Sequence, residues 1–158
     1  MENSVTMSQS RTIQTKLVLP PDTNHLDTIF GGKVLSYIDE IAAITAMKHA
    51  NQIVVTASID SVDFLSSARV GDVLELDAVV SSTGRTSMEI FVRVRSKNLM
   101  TRKERITTQS FLTMVAVDEK GRPVEVPAVI GETEEERRLI NGASARKEHR
   151  KLRAPMPG

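Results

Sequence analysis

Residues Asp22 to Ala50 read DTNHLDTIFGGKVLSYIDEIAAITAMKHA, and this stretch decides the fold. Its first part, through Gly32, is rich in turn formers and delivers the chain to a glycine pair. From Lys33 to about Ala50 there is neither proline nor glycine, and alanine, leucine and methionine favour helix. At 100° per residue Val34, Ile38, Ile41, Ala42 and Thr45 share one arc, while Lys33, Ser36 and Glu40 lie on the opposite one. A loop therefore opens into one long helix whose apolar side needs a cover.

On either side of that helix the period changes to two. Upstream, Arg11 to Leu19 alternates Ile13, Thr15 and Leu17 against Gln14 and Lys16 until Pro20-Pro21 stops it. Downstream, Ile53 to Leu65 is long and β-branched, and Val73 to Ser81 alternates Leu74, Leu76, Ala78 and Val80 with Glu75, Asp77 and Val79. A turn at Thr83 to Thr86 leads into Ser87 to Lys97, and Ile106 to Asp118 supplies a fifth strand. Strands in succession after a single helix predict one long antiparallel sheet covering that helix. Thr133 to Glu136 has the spacing of a capping box, so a short helix is predicted from there to about Gly142. Ala143 to Gly158 is basic and ends in prolines, which reads as a solvated or partly disordered tail, the alternative being a phosphate-binding or subunit-contact role. The expected organisation is a flexible N-terminus at 1–10, one domain at 11–130 and a charged C-terminal helix and tail at 131–158.

Composition excludes several function classes. The 158 residues carry 21 lysines and arginines against 20 acids, so no global field recruits nucleic acid or an anionic membrane. Four phenylalanines, one tyrosine and no tryptophan leave almost nothing on which bases could stack. There is no cysteine, hence no disulfide and no thiol nucleophile. The apolar runs are too short for a membrane span, and the N-terminus lacks the order of a signal peptide, which fits a cytoplasmic protein. The patterns G-x-S-x-G, P-loop and G-x-G-x-x-G are absent, and His25, His49 and His149 lack metal-ligand spacing, so no metal site is expected.

Three features point to chemistry. Asp39 falls beside Leu35, Ala42, Ala43 and Ala46, at the edge of the helix's buried side, where an acid is either paired and solvated or held in a cleft as a base or nucleophile. Gly31-Gly32 precedes the helix, whose first N–H groups are unpaired; this suits an oxyanion site or a plain helix start beside a crowded strand. The tip Gly84-Arg85-Thr86-Ser87 joins a cation to hydroxyls, as a phosphate contact or a generic turn would.

Taken together, Pro21-Asp22-Thr23-Asn24, Asp27 to Gly32, Leu35 to Asp39, Val62-Asp63-Phe64, Val70-Gly71-Asp72, Gly84 to Ser87 and Phe111 to Asp118 resemble the signature of the hotdog-fold acyl-coenzyme A thioesterases, of the bacterial acyl-CoA hydrolase type. The resemblance runs from about Thr12 to Pro127. It implies an α+β hotdog fold, a long central helix wrapped by a curved antiparallel sheet of five to six strands, and hydrolysis of acyl-CoA to free fatty acid and coenzyme A. It further implies Asp39 as catalytic carboxylate, acting as base or nucleophile, Asn24 positioning water or substrate from the facing subunit, and the Gly32 N–H polarising the thioester carbonyl. Gly84, Arg85, Thr86 and Ser87 would lie along the coenzyme A moiety. The implied partner is a second copy, in a dimer at minimum and as a trimer of dimers in the hexamers of the family. No cofactor is implied, coenzyme A being part of the substrate, and neither nucleic acid nor membrane is expected as a partner. The alternative on the same fold is a non-catalytic acyl-CoA sensor.

Overall fold

The computed structural model describes residues 3–153, and the proline-rich end at 154–158 lies outside the described residues. The long helix, α2, spans Gly31–Ala50. Phe30 precedes it in an extended conformation, and Asn51 ends it with a left-handed backbone (φ 52°), its N–H bonding Met47 O. Val34, Ile38, Ile41, Ala42 and Thr45 are all buried, as the 100° arc requires, and Ala46 and His49 extend the face.

What buries that face is a five-stranded sheet, built from β2 (Thr12–Leu17), β3 (Ile53–Phe64), β4 (Val73–Thr83), β5 (Ser87–Lys97) and β6 (Glu104–Val117), every pair antiparallel. The spatial order is β2-β4-β5-β6-β3. Consequently the chain leaves β2 at one edge and enters β3 at the other, and α2 must cross the sheet between them. Alternation does the rest: Leu74, Leu76, Ala78 and Val80 on β4, Met88, Ile90, Val92 and Val94 on β5, and Leu112, Met114 and Ala116 on β6 are fully buried against α2. Each large side chain removed from water there contributes about 2 kcal/mol, enough to fix the register, since a slip of one residue would turn the whole row outward.

The outer face of the sheet is covered too, and here the structure corrects the sequence reading at both ends. The N-terminal segment, expected to be flexible, forms β1 (Ser4–Thr6), paired in parallel with β7 (Ala128–Ile130), and α1 (Met7–Ser10). Thr6 and Gln9 complete a capping box, and Met7 and Ser10 are buried. The short helix at 133–142 forms as predicted, as α3 (Glu134–Asn141), with Thr133 Oγ1 accepting from the Glu136 N–H at 3.1 Å. The basic stretch after it is not a solvated tail. It forms α4 (Ala143–Lys151), docked by Arg146 on Glu89 and by Arg150 on Asp60. Those acids lie on strands remote in sequence, so no local pattern announces the pairing. Among the described residues no helix is long and apolar enough to cross a membrane.

Candidate active site

Asp39 projects from the third turn of α2 at the margin of its buried face, half-buried, and its Oδ1 accepts a hydrogen bond of 2.8 Å from Thr56 Oγ1 on β3. Among the described residues its Oδ2 has no partner. The carboxylate is therefore oriented by one oxygen and free at the other, which is the condition for taking a proton or attacking a carbonyl. Thr56 stands next to a register shift at Ala57, one of two irregularities in the β3–β6 ladder, and such bulges re-aim side chains. Thr56 was not legible as a site residue, because within IVVTASIDSVDFL a threonine is what any half-buried strand contains.

The glycine pair divides its two readings. A Cβ on Gly31 would lie 3.2 Å from the Phe64 ring, so Gly31 answers to a crowded strand. A Cβ on Gly32 would meet nothing within 4 Å, so the start of α2 is open at that residue. Lys33 N–H and Val34 N–H both donate to Phe30 O, and among the described residues the N–H groups of Gly31 and Gly32 have no acceptor.

Asn24 sits in the loop before α2 and spends its side-chain oxygen locally. Oδ1 accepts from Leu26 N at 2.9 Å, Thr28 N at 3.3 Å and Thr28 Oγ1 at 3.1 Å. Among the described residues Nδ2 makes no hydrogen bond, so Asn24 has donors rather than acceptors to offer. Within the chain it makes no hydrogen bond to Asp39.

Gly84 to Ser87 forms the tip between β4 and β5, closed by Gly84 N–H on Ser87 O at 2.9 Å. A Cβ at Gly84 would come within 2.7 Å of Ser87 Oγ. The Arg85 guanidinium is 83% exposed and loosely paired with Glu125 at 3.5 Å, so it can swing to a ligand. Met88, just past the tip, pairs with Met114, which pairs with Thr56. Tip and carboxylate thus share one end of the sheet, where Met88 and Thr56 stand two strands or roughly 10 Å apart.

Two cavities stand out among the described residues, and neither is lined by Asp39. The larger, about 600 Å³, lies on the outer face of the sheet, where Asp77, Phe91, Arg93 and Arg95 meet α3. The smaller, about 240 Å³, adjoins the β4–β5 tip. Asp39 stands instead near the open edge of β3, along which Ile53, Val55, Ile59 and Phe64 are exposed.

A helix carrying an oriented carboxylate on an antiparallel sheet, with an open helix start, offers a base and a backbone donor for attack on an activated carbonyl. Comparison with known proteins agrees. The thioesterase superfamily profile matches residues 26–103. An uncharacterized acyl-CoA thioester hydrolase of Bacillus subtilis is 48% identical over 145 residues, 92% of this chain and 84% of that protein. The crystal structure of an apo-hexameric acyl-CoA thioesterase matches with a TM-score of 0.95 at 68% identity, over 98% of this chain and 99% of that one. The acyl-CoA hydrolase of Staphylococcus aureus, in complex with butyryl coenzyme A, coenzyme A and coenzyme A disulfide, matches with a TM-score of 0.90 at 46% identity, over 94% and 91%. The chain belongs to the thioesterase superfamily and, within it, to the acyl-CoA thioester hydrolases. Structures of the Staphylococcus enzyme include variants with an aspartate, an asparagine and a threonine each changed to alanine, spaced along that chain as Asp39, Asn24 and Thr56 are along this one.

Proposed function

We propose that this protein hydrolyses acyl-CoA to free fatty acid and coenzyme A, with Asp39 as general base. The observation that carries the reading is the Asp39 carboxylate held through one oxygen by Thr56 while the other stays free. Oδ2 takes a proton from water as the water oxygen bonds the thioester carbon; the carbon–sulfur bond then breaks, and the proton held on Asp39 passes to the departing thiolate, which restores the carboxylate. The Gly32 N–H donates to the carbonyl oxygen as it gains charge, a contribution of about 3 kcal/mol for one well-placed donor. The uncommitted Nδ2 donors of Asn24 suit a water oxygen or the substrate carbonyl, and we assign them to the site of the facing subunit.

The second copy belongs to this reading. A twelve-residue edge strand with exposed β-branched side chains and an unpaired backbone is the surface a protein covers, and β3 pairing with its counterpart would complete each site from two chains. We extend this to three such dimers in a hexamer. In each subunit residues 11–130 form the hotdog domain, its sheet wrapped around α2, with 131–151 laid on the outer face. Gly84, Arg85, Thr86 and Ser87 contact the coenzyme A moiety. Wild-type protein is to be assayed for release of free thiol from short- to long-chain acyl-CoAs; the absence of cysteine keeps a thiol reagent's background low. Thiol release on some chain length is expected, and none on any would overturn the reading.

A further inference from the structure

Helix α4 carries its cations at a spacing that places Ala143, Arg146, Lys147 and Arg150 on one face, against the sheet. Two of these cations have structural duties. Arg146 holds both carboxylate oxygens of Glu89, at 2.7 to 3.2 Å, and Arg150 meets Asp60 at 3.5 Å and Thr113 Oγ1 at 3.1 Å. Lys147, between them, pairs with no carboxylate among the described residues. It lines the cavity of about 240 Å³ between the start of α4 and the β4–β5 tip, together with the hydroxyls of Ser82, Ser87 and Ser144. None of these three hydroxyls is engaged by another described side chain. Glu89 also borders the cavity, but Arg146 neutralises it and Ser81 Oγ donates to it at 2.7 Å. The charge left facing the cavity is one ammonium amid hydroxyl donors, with no large apolar side chain.

We infer that this cavity takes a phosphate group of coenzyme A, so that the C-terminal helix, through Lys147 and Ser144, is part of the substrate site. A phosphate accepts from several donors at once, and an ammonium with convergent hydroxyls meets that need. The cavity lies beside Gly84 to Ser87, at the sheet end that holds Thr56; α2 and α4 cover opposite faces, so a substrate spanning carboxylate and cavity would round that end of the sheet. This inference rests on the reading of the protein as an acyl-CoA hydrolase.

Calorimetric titration of coenzyme A into the full-length wild type, Lys147→Ala and Lys147→Arg tests it, with thiol release by the wild type measured alongside. The dissociation constant is expected to rise about ten-fold in Lys147→Ala, with much of the affinity recovered in Lys147→Arg. An unchanged constant in Lys147→Ala overturns the inference whatever the hydrolysis assay shows. Failure of thiol release with intact coenzyme A binding overturns the hydrolase reading instead, and the variant series still decides the cavity. Inorganic phosphate is titrated as a separate arm. Lys147-dependent phosphate binding without any Lys147 effect on coenzyme A would assign the cavity to a free anion and contradict the proposal.

Discussion

The Thr56 hydroxyl donates to Asp39 Oδ1 across 2.8 Å and so ties the long helix to the edge strand at the carboxylate we propose as the base. Its loss frees the carboxylate to rotate without removing it. Thr56→Ala is expected to lower kcat about ten-fold, the order of one neutral-to-charged hydrogen bond, while Thr56→Ser keeps most of the activity. Steady-state kinetics of the two variants side by side check this; equal losses in both would deny the hydroxyl its role.

Gly32 offers a way to separate fold from chemistry. An added Cβ there meets nothing within 4 Å, so Gly32→Ala is expected to fold with an unchanged or slightly raised Tm, alanine being the better helix former. Its methyl group would nevertheless stand where the thioester carbonyl must approach, and kcat/KM is expected to fall. Thermal unfolding and kinetics on the same preparation test both halves, and unchanged kinetics would remove the Gly32 N–H from the mechanism.

The reach of sequence reading differs between the parts of this molecule. The helix and five strands were legible because apolar periods of 3.6 and 2 are local, and their ends fell within about two residues of those observed. Asp39 stood out because an acid interrupted an arc of small apolar residues. Thr56 did not, since its meaning lies in a contact 17 positions away. The N-terminal ten residues hid a capping box, Thr6 with Gln9, inside a polar run. At the C-terminus the arginines of α4 looked solvated because Glu89 and Asp60, which receive them, are distant in sequence.

That C-terminal anchor has an energetic consequence. Glu89 is 8% exposed and its charge is met by Arg146, whose guanidinium also lies over the Phe111 ring at 4.5 Å. Arg146→Ala leaves a buried carboxylate without its cation and is expected to cost about 3 kcal/mol. Adding Glu89→Gln should restore part of the loss. Urea unfolding at one fixed protein concentration measures both variants, and independent, additive effects would contradict a direct pair.

His49 gives the protein a pH dependence of known sign. It is buried at the end of α2, where Nε2–H donates to Pro127 O at 2.8 Å and Nδ1 faces Ser10 Oγ at 3.4 Å. Burial holds its pKa below the ordinary imidazole value, with the Pro127 carbonyl opposing weakly. The unfolded chain therefore gains a proton before the native one does. Stability is full above about pH 6.5 and falls as pH drops below it, by up to about 1.4 kcal/mol per pH unit, until the native imidazole also charges. In His49→Gln this component of the pH profile, measured by denaturant midpoints between pH 7.5 and about 5.5, is expected to vanish.

Thiol release from acyl-CoA by Asp39→Asn beside the wild type asks directly whether the Asp39 carboxylate performs the hydrolysis. Light scattering and coenzyme A titration confirm that the variant assembles and binds. The exchange keeps the shape and the bond from Thr56 but removes the basic oxygen. Turnover is expected to drop at least about 100-fold, the lower end of what a positioned base contributes, with coenzyme A still bound. Turnover equal to the wild type in that variant would leave Asp39 without a part in the hydrolysis.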